Sequence, residues 1–134
     1  MSRWEPPALE GILETVLYCT TGTEEATRKF YQDVLGLRRI GGSSYRVGGD
    51  VFLLFNSDKS GVQTEPPPHG ASGGVHVCFL TSPDAYEGWQ SKIAGSDIEF
   101  IQEITWDESG FRSFYFKDPA GNLLEIADGD LWPP

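Results

Sequence analysis

The chain has 134 residues, which fits a single domain spanning 1–134 and leaves no room for two independent cores. With 39% hydrophobic, 22% charged and 13% aromatic residues, it is not a disordered, collagen-like or coiled-coil chain. Ten Lys and Arg against twenty Asp and Glu give a formal charge of -10, which disfavours nucleic acid and anionic lipid as partners and welcomes a cationic small molecule.

Residues 11–19, GILETVLYC, are rich in β-forming types and predict a first strand, closed by the turn-like Thr20-Thr21-Gly22. Thr23 is a candidate N-cap: Glu24 and Glu25 suit the positive first turn, and Ala26, Phe30 and Val34 share one helical face. Gly36 is the natural stop. Short runs at 37–40, 43–47 and 51–55, punctuated by Gly41-Gly42 and Gly48-Gly49, predict three hairpin strands. The polar, proline-rich stretch 57–73 reads as a linker. Residues 74–80, GVHVCFL, predict the next strand; Ser82-Pro83 opens a helix with Ala85, Trp89 and Ile93 on one face, and Gly95 ends it. Three more strands follow at 98–102, 112–117 and 122–127, the last two joined by the turn-forming Asp118-Pro119-Ala120-Gly121-Asn122.

The chain therefore repeats strand, helix, three strands, with a first module at about 10–56 and a second at about 74–128. Each half is too small to hold a core alone. In this alignment Glu14 matches His76, and Leu53, or Phe52 if the register slips, matches Glu125.

Glu14, His76 and Glu125 each interrupt an apolar strand, and burying a carboxylate is costly unless it is paired or bound to a metal. If their faces line one concave surface, an imidazole and two carboxylates converge into a site for a divalent ion, Mn, Ni, Zn, Mg or Fe. The plainer alternative leaves both acids in solvent and His76 as a satisfied core histidine. Arg112 alternates onto one face with Phe114 and Phe116 and is a candidate clamp for a substrate carboxylate or phosphate. Tyr18, on the Glu14 face, and Tyr115, on the face opposite Arg112, are further candidates for substrate contact. His69 is a candidate lid or fourth ligand, and Trp106, Asp107 and Trp132 are candidates for a cleft entrance or a dimer contact.

Cys19 and Cys78 lie in apolar runs, lack CxxC spacing and are too few for a disulfide framework, which predicts buried, reduced thiols and a cytoplasmic location. No stretch approaches the ~20 apolar residues that span a bilayer, so no membrane partner is expected. The glycine pairs lack the following helix and lysine of a phosphate-binding loop.

The element order, with the phrases FYQDVLGL at 30–37 and FKDPAGNLLE at 116–125, resembles the vicinal oxygen chelate superfamily of glyoxalase I, bleomycin resistance and extradiol dioxygenase proteins. The resemblance implies an α+β fold in which two tandem βαβββ modules form a cup-shaped mixed sheet, completed in a homodimer, with a metal held by strand residues. Carried over by position, Glu14, His76 and Glu125 are the metal ligands, and Glu14 or Glu125 also serves as the catalytic carboxylate. Glu14 stands where ring-cleaving and fosfomycin-resistance members carry histidine, and Leu53 where glyoxalase I carries glutamate. The expected function is metal-dependent isomerase, lyase or related chemistry on an oxygen-chelating small molecule. The alternative is a metal-free protein that sequesters a drug or metabolite in an aromatic cleft.

Overall fold

A computed structural model describes residues 3–134; the first two residues of the expected domain lie outside the described part. The elements run β1 (Glu14–Cys19), α1 (Glu24–Lys29), a π-helical turn (Phe30–Val34), β2 (Arg38–Arg39), β3 (Ser44–Val47), β4 (Asp50–Asn56), α2 (Ser57–Ser60), β5 (His76–Leu80), α3 (Pro83–Ala94), β6 (Phe100–Thr105), β7 (Arg112–Lys117) and β8 (Leu123–Ala127). They form an α+β fold of two four-stranded mixed sheets, ordered β1-β4-β3-β2 and β5-β8-β7-β6.

The sheets repeat one another in register as well as in order. β1 pairs parallel with β4, setting Glu14 opposite Val51 and Val16 opposite Leu53. β5 pairs parallel with β8, setting His76 opposite Leu123 and Cys78 opposite Glu125. Glu14 is thus the counterpart of His76, and Leu53, not Phe52, the counterpart of Glu125.

One face of each sheet is apolar and meets the helices in a common core. Leu17, Phe52, Leu54 and Tyr45 come from the first sheet, Phe114, Phe116, Leu124 and Ile126 from the second, and Tyr86 and Ile93 from α3. Phe52 joins the halves, with its ring 4.8 Å from Tyr31 and 6.1 Å from Phe79 between centroids. Such close-packed aromatic rings contribute beyond the area they bury.

The first helix departs from the four-residue pattern expected for it. After α1 the backbone widens, and the Leu35 N–H donates to the Phe30 carbonyl five residues back. Both rings of this turn, Phe30 and Tyr31, are buried against the core. Gly36 then takes φ +69, a left-handed backbone suited to glycine, and ends the helix. Thr23 makes no side-chain cap to the helix; its hydroxyl accepts instead from the Thr20 N–H at 3.0 Å. Helix α3 is capped as its sequence predicts, with the Ser82 hydroxyl accepting from the Ala85 N–H at 3.2 Å.

The Asp118–Asn122 turn ties the two halves together. One Asp118 oxygen accepts from the Ala120 and Asn122 backbone N–H groups, and the other accepts from the Tyr31 hydroxyl at 2.6 Å and the Asn122 amide at 2.9 Å. That amide also donates to the Tyr18 carbonyl in β1, 2.9 Å away. The phrases FYQDVLGL and FKDPAGNLLE therefore meet in space through Tyr31 and Asp118.

Two expectations need correction. Residues 98–102 were expected as a strand, but β6 begins at Phe100 and runs to Thr105, with a register shift between Phe100 and Gln102. Both cysteines are free, but only Cys19 is buried: Cys78 shares the alternation of His76 and Leu80 and so faces away from the core. Among the described residues no helix is long and apolar enough to cross a membrane.

Candidate active site

β5 and β8 lie side by side, and strand alternation points His76 and Glu125 to the face away from the helices. The His76 Nδ1–H donates to the Leu123 carbonyl at 2.8 Å; a carbonyl can only accept, so this bond assigns the proton to Nδ1. His76 Nε2 then faces Glu125 Oε1 at 3.2 Å. In the neutral ring Nε2 carries a lone pair, and a lone pair turned toward a carboxylate calls for a proton or another cation between them. Glu125 is only 4% exposed, and its second oxygen, Oε2, has no hydrogen-bond partner. A buried carboxylate with one idle oxygen is the kind of group a metal ion satisfies. A histidine fixed through its other nitrogen by a carbonyl is the usual support for a metal-ligating imidazole.

Tyr115 pairs with Glu125 across β7 and β8 and stacks on the His76 ring, 6.0 Å between centroids and 26° from coplanar. Burial, and then the Glu125 carboxylate, raise the pKa of its phenol, which therefore stays protonated. Cys78 is exposed on one side, but partial desolvation where it lies against the sheet, and then the same carboxylate, push its thiol up to about 12, so it is a poor nucleophile. These groups sit at one end of a cleft of about 750 Å³, with Trp106, Trp132 and Asp107 among its other walls. The Trp106 ring is held by donation from its indole N–H to the Ser113 hydroxyl at 2.9 Å.

The other candidates from the sequence lie elsewhere. Glu14 is exposed at the start of β1 and lines a neighbouring cleft of about 420 Å³ with Val51 and Leu80, which adjoins the first cleft at Val77 and Cys78. No group of three His, Cys, Asp or Glu side chains placed to hold a metal occurs among the described residues, so Glu14 does not join His76 and Glu125 within one chain. Tyr18 lies on the Glu14 face, with its hydroxyl 2.7 Å from His69 Nδ1, while His69 also packs edge-on to Phe55 at 4.8 Å. His69 thus folds onto the first sheet, held by its carbonyl accepting from the Ser60 hydroxyl at 2.7 Å. Arg112 is on the opposite side of the second sheet from Glu125. Its Nε donates to Asp128 at 3.1 Å and its guanidinium lies 4.4 Å from the Tyr86 ring centroid, so it does not reach the cleft. Leu131 and Glu108 also line the cleft; no charge or spacing signal in the sequence marked them.

His76 and Glu125 thus lie side by side on the second of two repeat-related mixed sheets, with an open cleft beside them. The sequence profile of the Glyoxalase/Bleomycin resistance protein/Dioxygenase superfamily matches residues 15–126, and the chain belongs to that superfamily. It is 22% identical over 125 residues to a metallothiol transferase FosB of Staphylococcus saprophyticus, covering 90% of this chain and 80% of that protein. The crystal structure of a lactoylglutathione lyase from Agrobacterium tumefaciens superposes with TM-score 0.79 at 32% identity, covering 95% of this chain and 98% of the other. A fosfomycin resistance protein from Listeria monocytogenes, complexed with Mn(II) and a dihydroxypropylphosphonic acid, shares the fold at TM-score 0.68 and 18% identity, with 92% and 94% covered. Transferases and a lyase thus stand among its relatives.

Proposed function

We propose that this protein is a divalent-metal-dependent enzyme of the isomerase, lyase or related kind, acting on a small molecule that presents adjacent oxygens. The carrying observation is His76 Nε2 lying 3.2 Å from a buried Glu125 carboxylate that has one idle oxygen. In this reading His76 and Glu125 of one chain hold the ion together with Glu14 of a second copy, in a homodimer. The bound ion supplies Lewis-acid polarisation of a carbonyl or chelated oxygen pair. Glu14 or Glu125 holds the proton moved in the reaction, and the Tyr115 hydroxyl, kept protonated, donates to a substrate oxygen. Mn, Ni, Zn, Mg and Fe all suit one imidazole with carboxylates.

A second reading has its own support. Trp106, Tyr115 and Trp132 line the same cleft as Asp107 and Glu108, a lining suited to stacking a planar, cationic molecule without any metal. Elemental analysis of gently purified protein, followed by divalent-metal titration of wild type beside His76→Ala, separates the two. Stoichiometric metal, lost in the variant while its far-UV circular dichroism is unchanged, is the expected result. Absence of metal under every loading condition sinks the enzyme reading and leaves sequestration.

A further inference from the structure

The open face of the first sheet carries two arginines directly opposite one another. Arg38 in β2 faces Arg46 in β3, Arg46 faces Val51 in β4, and Val51 faces Glu14 in β1, so one row across the sheet reads Glu14, Val51, Arg46, Arg38. Both arginines are exposed. Among the described residues neither makes an ion pair, as is also true of Arg3, Lys29, Arg39, Lys59 and Lys92, while Arg28, Arg112, Lys117 and His76 each face a carboxylate. The only side-chain hydrogen bond at the pair is a long one, from Arg46 Nη1 to the Gly49 carbonyl at 3.4 Å. Like charges directly opposite on neighbouring strands destabilise a sheet. In a chain with twenty acidic residues and ten basic ones, two juxtaposed and unneutralised cations are unexpected.

The second half of the molecule provides an internal comparison. Val51 corresponds to Leu123, so Arg46 corresponds to Lys117, which pairs with Leu123 across β7 and β8. The next residue in that row is Glu99, whose carbonyl accepts from the Lys117 N–H and whose carboxylate lies 3.8 Å from Lys117 Nζ. An ordinary Lys-Glu pair in one module is an Arg-Arg pair in the other.

We propose that Arg38 and Arg46 form an oxyanion-binding fork, the anchor for a carboxylate, phosphate or phosphonate group on the protein's small-molecule ligand. Strand alternation puts both side chains on one face of the sheet, and a pair of guanidiniums on one face suits the bidentate contacts that such groups accept. Two strand spacings separate Glu14 from Arg46, about 10 Å between backbones. A ligand anchored at the fork therefore reaches Glu14 with its other end. The fork stands without the metal; that its occupant is the chelating substrate rests on the function proposed above.

The test is calorimetric titration with inorganic phosphate, and in a second arm with acetate, at low ionic strength and in the presence of a chelator. Wild type, Arg46→Gln, Arg38→Glu, Lys59→Gln and His76→Ala are compared. Saturable binding is expected in wild type, Lys59→Gln and His76→Ala, with at least a tenfold loss in Arg46→Gln and Arg38→Glu. Tighter binding in the phosphate arm identifies a phosphate or phosphonate tail, and in the acetate arm a carboxylate. Arg38→Glu recreates the Lys-Glu arrangement of the other sheet, so its melting temperature should hold or rise while anion binding vanishes, which separates loss of the fork from loss of the fold. No saturable binding in wild type, or equal weakening in Lys59→Gln, overturns the proposal. So does binding that appears only when metal is restored and is lost in His76→Ala; that result puts the anion at the metal and leaves the enzyme reading intact. Binding to the fork in a protein that never takes metal upholds the fork and removes the enzyme reading.

Discussion

Glu125 combines burial, a negative charge and an oxygen with no partner, and these make its contribution conditional. Without a cation the carboxylate is a buried charge beside His76, Tyr115 and Cys78, and holding a charge out of water is costly. Glu125→Gln removes the charge and keeps the shape, so metal-free stability in urea unfolding with chelator is expected to rise by about 1 kcal/mol, and the further gain that metal gives wild type to be abolished. A loss of stability in chelator instead assigns Glu125 a structural role. At the same site the Cys78 thiol is held up to about 12, first by partial desolvation against the sheet and then by the Glu125 carboxylate. The folded pKa lies above the ordinary value of 9.0, so the folded state favours the protonated thiol. That stability is complete below pH 9 and is lost as pH rises toward 12. The urea midpoint should fall across that window, and Cys78→Ser should flatten the fall.

At the scale of elements, the π-helical turn and the Asp118–Asn122 turn act as one joint. The Asp118 carboxylate is 5% exposed and receives Tyr31, Asn122 and two backbone N–H groups, so its removal orphans several donors together. Breaking a buried network of this kind costs about 3–5 kcal/mol, whereas losing one hydroxyl partner costs about 1–3. Asp118→Ala should therefore destabilise the fold more than Tyr31→Phe in urea titrations. Equal effects imply that the Tyr31 bond alone holds the turn. Burial and then the Asp118 carboxylate drive the pKa of the Tyr31 phenol strongly upward, in keeping with its role as a neutral donor there.

At the scale of the whole molecule, one chain brings together two of the three proposed ligands: His76 and Glu125 converge, while Glu14, the repeat counterpart of His76, lines the neighbouring cleft. If two copies complete the site, Glu14→Ala and His76→Ala each lose metal alone. A purified mixed dimer of the two variants then regains one metal per dimer, because one of its sites receives both intact contributions. Elemental analysis of tag-separated mixed dimers reads this directly, and no regain in a verified mixed dimer argues that the site does not cross chains.

The sequence alone determined the repeat and most of its elements. Strand and helix periodicity, the Ser82-Pro83 cap and the turn residues at 118–122 act over a few neighbours, and local physics of that range is legible in one chain. The same reading named His76 and Glu125 as out-of-place polar residues in apolar strands. It did not detect the π-helical turn, whose rings Phe30 and Tyr31 pack on Phe116 and Phe52, partners too distant in sequence for local periodicity to report. Nor did it reveal that Arg112 is engaged by Asp128 and Tyr86, or that Arg38 and Arg46 stand unpaired beside each other. Those facts depend on strand register, which the packed sheet decides and a slip of one residue would reverse. The tertiary structure alone separated Glu14 from the donor pair, because which strands lie side by side is settled by closing the whole core.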